Sequence, residues 1–262
     1  MNIGTLVSYL DSETHPEYQE KYDNAGFLVG DPQTECTGAL VALDLTDDVV
    51  DEALDLNANF IVTHHPLIFG GVKRITPADA TGRLIIKLIR NNIALYAAHT
   101  NLDNLQHGVN GILSFHLGLT DCHILHPLDD KNLPHVGAGM IGSLPYPLPT
   151  SAFLEQVKAT LGLPVLRVSD IVTPSVSRVA ICGGAGSFLI DDAIRQQADI
   201  YLTGDMKYHD FQRAEGRITL ADIGHYESEQ FGKQLIYSVI SKKFSNFACF
   251  ISQQGKSFVS YM

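Results

Sequence analysis

The feature that most restricts this chain is a duplicated alternation of short apolar runs and helices. The first half reads Ala39-Leu-Val-Ala-Leu43, then a helix headed by Asp47 and Asp48, then Phe60-Ile-Val-Thr63. The second reads Arg178-Val-Ala-Ile181, then a helix headed by Asp191 and Asp192, then Asp199-Ile-Tyr-Leu-Thr203. Runs of four or five Val, Ile, Leu and Ala residues fit strands buried on both faces. Acidic pairs fit first helical turns, where the helix dipole favours negative charge. A third run follows in each half, Ile93 to Ala98 and Ile218 to Ile223. Strand–helix–strand units place their strands parallel. The expected fold is therefore α/β, with two pseudo-symmetric lobes, mixed but largely parallel sheets, and a metal site between the lobes at the carboxyl ends of the strands.

Polar residues follow these runs directly. Thr63-His64-His65-Pro66 and His99-Thr-Asn-Leu-Asp103 end runs in the first half; Thr203-Gly-Asp205 and His225-Tyr-Glu-Ser-Glu229 end runs in the second. Open α/β sheets bind ligands at such strand ends. Imidazole with carboxylate is a donor set for borderline and hard divalent ions. If a helix opens near Tyr226, His225 and Glu229 share one face. Each residue alone also fits a cap, a core histidine or a surface acid, and only the coincidence at corresponding strand ends favours metal. His64, His65, Asp103, His225 and Glu229 are the expected ligands. Asp103 and Glu229 bring two negative charges, so two divalent ions would leave about two positive charges for an anionic substrate and a bridging group. Zn, Fe, Mn, Co and Ni suit this set alike.

Other residues have more than one reading. His99 fits a further ligand, an outer partner or an acid–base group. Asp205 and His209 could orient ligands, meet substrate or be structural; His99 and Asp205 are the catalytic candidates. Gly183-Gly-Ala-Gly186 could cradle an anion or allow close packing. Asn24-Ala-Gly26 fits a turn into a strand.

The expected division is a first lobe over 1–128, a connecting segment over 129–150 and a second lobe over 151–262. Within these, helices are expected over 1–10, 83–91, 150–161, 210–215 and 229–244. Strands are expected over 136–141, 248–252 and 257–261, with a turn over 144–149. The formal charge of −11 over 262 residues argues against general nucleic-acid binding, which needs clustered cations. No apolar run approaches the roughly 20 residues of a membrane helix. The four cysteines form no CxxC and read as reduced thiols, so a cytoplasmic protein is expected.

Tyr22-Asp-Asn-Ala-Gly26 with Val29-Gly30, Thr63-His-His-Pro66, His99 to Asp103, Gly204-Asp205 and Asp222-Ile-Gly-His-Tyr-Glu-Ser-Glu229 occur in an order that resembles the GTP cyclohydrolase 1 type 2 homologue family, also called NIF-three-like. The resemblance is to the short form, without the domain that long members insert near 128–133. It implies a di-metal centre at His64, His65, Asp103, His225 and Glu229, and a toroidal homohexamer with metal sites facing an inner cavity. It also implies a hydrolase that uses metal-activated water on a nucleotide or other small anionic ring compound. The competing reading is a non-catalytic metal-binding scaffold or metal chaperone that engages a protein partner.

Overall fold

The computed structural model describes residues 1–128 and 133–262. The chain divides into two compact units, residues 1–102 with 232–256, and residues 103–231 with 257–262. The expected boundaries therefore move. The first four residues of the expected connecting segment, 129–132, lie outside the described residues.

The first unit holds strands β1 (Gly26–Val29), β2 (Ala39–Ala42), β3 (Phe60–Thr63), β4 (Ala94–Ala97) and β11 (Cys249–Ile251) in the order β1-β4-β3-β2-β11. β2, β3, β4 and β11 are parallel, and β1 runs antiparallel to β4 at the edge. Every residue of β2, β3 and β4 is buried, as apolar runs without alternation require. Helix α1 (Ile3–Thr14) starts at Asn2, whose side chain accepts from the Thr5 N–H. Helix α2 (Asp47–Asp55) is capped by Thr46 and carries Asp47 and Asp48 in its first turn. Helix α3 (Ala80–Arg90) is capped by Asp79 and ends on Lys87 and Arg90, matching its dipole at the carboxyl end. Lys87 Nζ lies 2.7 Å from Asp51 and joins α3 to α2. Val49, Val50, Ala53, Leu84 and Leu88 press onto Leu40, Ile61 and Leu95 of the sheet.

The second unit is a six-stranded sheet ordered β5-β6-β8-β9-β10-β7. Its strands are β5 (Thr120–Pro127), β6 (Gly137–Pro149), β7 (Arg167–Val168), β8 (Ser175–Ala185), β9 (Ile200–Gly204) and β10 (Thr219–Asp222). β8, β9 and β10 are parallel; the pairs β5/β6, β6/β8 and β7/β10 are antiparallel. Both faces are covered. Val179 and Ile181 join one core with Phe153 and Val157, while Ala180 and Cys182 join another with Ile190 and Ile218. The pseudo-symmetry survives as three consecutive parallel strands in each unit, β2-β3-β4 and β8-β9-β10.

The boundaries moved for identifiable reasons. β5 and β6 are paired strands of the second sheet, so neither 120–127 nor 137–149 is a lobe edge or connector. The expected turn over 144–149 is the end of β6, where pairing with β8 skips from Ser143 to Leu148. The expected helix over 229–244 is two helices, α9 (His225–Glu229) and α10 (Gly232–Lys243). α10 and β11 belong with the first unit, because β11 pairs with β2, Cys249 opposite Ala39. Residues 257–261 form no strand. The helix expected over 210–215 lies at α8 (Tyr208–Gln212), and α6 (Thr150–Leu161) falls where expected. Among the described residues, no helix is long and apolar enough to cross a membrane.

Candidate metal centre

In the first unit, β3 delivers His64 and His65. Their amides donate to the Leu43 carbonyl at 3.1 and 2.9 Å, and Thr63 Oγ1 donates to the His65 carbonyl at 2.8 Å, so the turn is locked. β4 delivers His99 through Ala98. The three rings lie 5.0–5.5 Å apart, centroid to centroid. Each offers a ring nitrogen within 4.8 Å of the others. His64 is buried; His65 and His99 keep 22% and 14% of their side-chain surface.

The Nδ1 atoms of these histidines are all committed. His64 Nδ1 donates to the Ala98 carbonyl at 2.7 Å. His65 Nδ1 donates to Asp44 Oδ1 at 2.7 Å, and His99 Nδ1 to Asp23 Oδ1 at 2.8 Å. An Nδ1 facing a carbonyl or carboxylate carries the proton, which puts the lone pair of a neutral ring on Nε2, where it could serve a metal. Outer partners of this kind fix ring orientation and raise ligand basicity. Asp44 was missed in the sequence reading; its signal is an acid standing just after the Leu43 that extends a buried strand.

Asp23 is a junction. It accepts from His99, from the Thr100 N–H at 3.0 Å, from the Thr100 hydroxyl and from the Asn24 N–H at 2.7 Å. Burial pushes its carboxyl up, but the bonds from His99, Thr100 and Asn24 outweigh burial and hold it at about 2, against the usual 3.8. A depressed carboxylate stabilises the fold above its unfolded pKa, and that contribution disappears as pH falls toward 2. The difference corresponds to about 2 kcal/mol. Asp23→Asn is expected to lose about that much stability at pH 7. Urea unfolding at pH 7 and near pH 2 checks this; an equal gap between variant and parent at both pH values contradicts it.

In the second unit, β9 ends on Gly204 and hands over to Asp205, whose φ of 55° lies in the left-handed region. β10 leads through Gly224 into His225, the first residue of α9. Asp205 Oδ2 accepts from His225 Nδ1 at 2.8 Å, the arrangement seen for His65 and His99. His225 Nε2 lies 3.2 Å from Glu229 Oε2, the i,i+4 pairing expected of one helix face. Glu229 is 3% exposed. Ser228 Oγ accepts from the Gly184 N–H at 3.0 Å and donates to the His225 carbonyl at 2.7 Å. The glycine-rich turn therefore packs against α9, which supports the close-packing reading of Gly183 to Gly186.

Asp103 closes helix α4 (Thr100–Asp103). Its carbonyl accepts from Asn110 Nδ2 at 3.1 Å, and Asn110 Oδ1 accepts from the Gly183 N–H at 2.8 Å. The Cys182 thiol is pushed up first by burial, then by the carboxylates of Asp103 and Glu229. His209 instead shares its Nδ1 with Gln212 at 2.9 Å.

Strand-end histidines backed by carboxylates on mixed α/β sheets define an α/β protein whose His and Glu side chains could hold metal ions. The chain belongs to the Duf34/NIF3 (NGG1p interacting factor 3) family, whose model matches residues 1–257. It is 34% identical over 234 residues to a "GTP cyclohydrolase 1 type 2 homolog" of Clostridium perfringens, covering 87% of each chain. It is 37% identical over 235 residues to a protein of the same name in Lactococcus lactis, covering 88% of each. The crystal structure of Staphylococcus aureus hypothetical protein SA1388 superposes with a TM-score of 0.91 at 29% identity, covering 100% of this chain and 99% of that one.

Proposed function

We propose that this protein is a dinuclear metal-dependent hydrolase of a nucleotide or another small anionic ring compound. Its ligands would be His64, His65, Asp103, His225 and Glu229. The observation that carries the reading is the shared anchoring of the histidines. Each Nδ1 is bound to an acceptor, Ala98, Asp44, Asp23 or Asp205, so each Nε2 is prepared as a donor. The imidazole and carboxylate chemistry fits Zn, Fe, Mn, Co or Ni. Two such ions, when bound, would supply a nucleophile from water near neutral pH and polarise the substrate.

The chain's own residues have separate tasks in this proposal. His64 and His65 are held rigidly by the locked turn after β3. Glu229 and Asp103 supply the negative charge that favours divalent ions. His99 exchanges a proton with substrate at Nε2, with Asp23 fixing its tautomer. Asp205 orients His225 through Oδ2, and its carboxylate is the second candidate, beside His99, for moving a proton. The relatives' name supports a ring-opening hydrolysis of GTP or a similar compound. The family's own description names a protein interaction, the competing scaffold reading. A homohexamer and a cytoplasmic location complete the proposal; light scattering at the mass of one chain would remove the hexamer.

Metal content by elemental mass spectrometry, with Asp103→Ala beside the parent, tests the reading together with metal-dependent turnover on GTP and related nucleotides. About two ions per chain, reduced in Asp103→Ala along with turnover, is the expected result. Metal bound without turnover on a broad panel would favour the scaffold. Turnover retained in metal-free protein would overturn the reading.

A further inference from the structure

The histidines of the first unit are flanked by two exposed aromatic side chains that the metal chemistry does not use. Phe69, four residues beyond His65, is 52% exposed, and Tyr22 is 61% exposed. Singly exposed apolar side chains are ordinary on a protein surface; these two are distinguished by lying together against an imidazole cluster. Their rings lie 6.1 Å apart, inclined at 42°. The Phe69 ring meets His99 edge-on at 6.0 Å and 73°, and His99 in turn touches both His64 and His65. The aromatic pair is thus continuous with the imidazole cluster.

The pair is also held in place. Asn24 Nδ2 donates to the Ile68 carbonyl at 2.6 Å, tying the segment that carries Tyr22 to the segment that carries Phe69. Asp23, next to Tyr22, is fixed by His99 and Thr100. Beyond Phe69 the chain runs through Gly70 and Gly71 to Lys73 and Arg74, and these five residues help line a hollow of about 710 Å³. Both cations are exposed. In a chain of net charge −11, two adjacent cations that share a hollow with Phe69 are a local reversal of sign, and the Asp79 carboxylate that also lines it is engaged by the Gly82 N–H.

We propose that Phe69 and Tyr22 form a stacking platform that holds the planar ring of a heteroaromatic substrate beside His99, with Lys73 and Arg74 meeting its anionic substituent. This deepens the hydrolase reading and rests on it for the reaction, though not for the binding. Base–aromatic stacking tolerates any planar ring, which suits recognition by the ring face, while the cations select a charged tail.

The chain contains no tryptophan, so Phe69→Trp places a single reporter at the platform. The variant, after incubation with divalent metal, is titrated with GMP, guanosine and ribose 5-phosphate at fixed ionic strength. GMP and guanosine are expected to quench saturably, and ribose 5-phosphate is not. By calorimetry, Phe69→Ala should weaken GMP binding roughly 5- to 150-fold, the range that one stacked base supports. Phe69→Tyr should restore it, and Lys73→Ala with Arg74→Ala should weaken GMP more than guanosine. Equal GMP affinity in the parent and Phe69→Ala, or absence of saturable quenching, overturns the platform. Metal content of the same preparations separates the two readings. Metal bound and lost in Asp103→Ala, without ring binding, would sink the platform alone. Saturable quenching in a protein that takes up no metal would uphold the platform and sink the dinuclear centre.

Discussion

Glu229→Gln is expected to leave the protein folded and to remove most of its capacity for metal. The substitution keeps the shape of a side chain that is 3% exposed and packed on Gly184. It removes the charge that would balance a divalent ion. It also turns an amide toward His225 Nε2, which lies 3.2 Å from Glu229 Oε2, and an N–H donated there would occupy the lone pair a metal needs. Loss of an outer partner costs about 10–100-fold in metal affinity, and loss of a ligand should exceed that. Metal competition against a chromogenic chelator measures the affinity, and thermal unfolding monitors the fold. Unchanged affinity in a folded variant would remove Glu229 from the ligand set.

The second large effect is expected at Gly184, where φ is +64° and a Cβ would lie 2.2 Å from Glu229 Oε1 and 3.4 Å from His225 Cε1. Gly184→Ala therefore combines two penalties. The left-handed backbone conformation costs about 1–3 kcal/mol for a residue with a side chain. Displacing the Glu229 carboxylate from its buried seat adds about 1–3 kcal/mol of overpacking. A fall of roughly 4–24 °C in Tm would follow for a chain of this size. Gly118→Ala is the comparison: its φ is +74°, and a Cβ there meets nothing within 4 Å. It should show the backbone penalty alone and leave metal affinity unchanged. If Gly184→Ala matches Gly118→Ala in both melting and metal affinity, the seat of Glu229 is not built by the missing side chain.

Much of this arrangement was legible before the structure. Runs such as Phe60-Ile-Val-Thr63 and Ile200-Tyr-Leu-Thr203 are short and rich in β-branched and aromatic residues, which fits strands buried on both faces, and the polar residues after them fall at strand ends by chain connectivity. Asp47 and Asp48 marked the first turn of α2 through their place at the helix dipole, which is local, whereas the Asp79 cap went unread and α3 starts at Ala80 instead of the expected 83. His225 and Glu229 share a face because four residues make about one helical turn. In each case the information sits within a few residues.

The acceptors behind the histidines were decided elsewhere. Asp44 is 21 residues from His65, Asp205 is 20 from His225 and Asp23 is 76 from His99. Asp205 and Asp44 stand at strand ends, but nothing in local spacing assigns Asp44 to His65, Asp205 to His225 or Asp23 to His99; only the packing of strand on strand brings each to its Nδ1. The same holds for the C-terminal segment. The pattern of α10 marks an amphipathic helix, but the side chains do not name the sheet it covers. That choice falls to the edge hydrogen bonds of β2, which β11 takes up more than 200 residues later in the chain. The sequence by itself determined the buried parallel strands of each half and the polar residues at their ends, because apolar runs and chain connectivity are local. The tertiary structure decided the sheet partners and the tautomer of each histidine, because hydrogen-bond partners distant in sequence are chosen only when the backbone is in place.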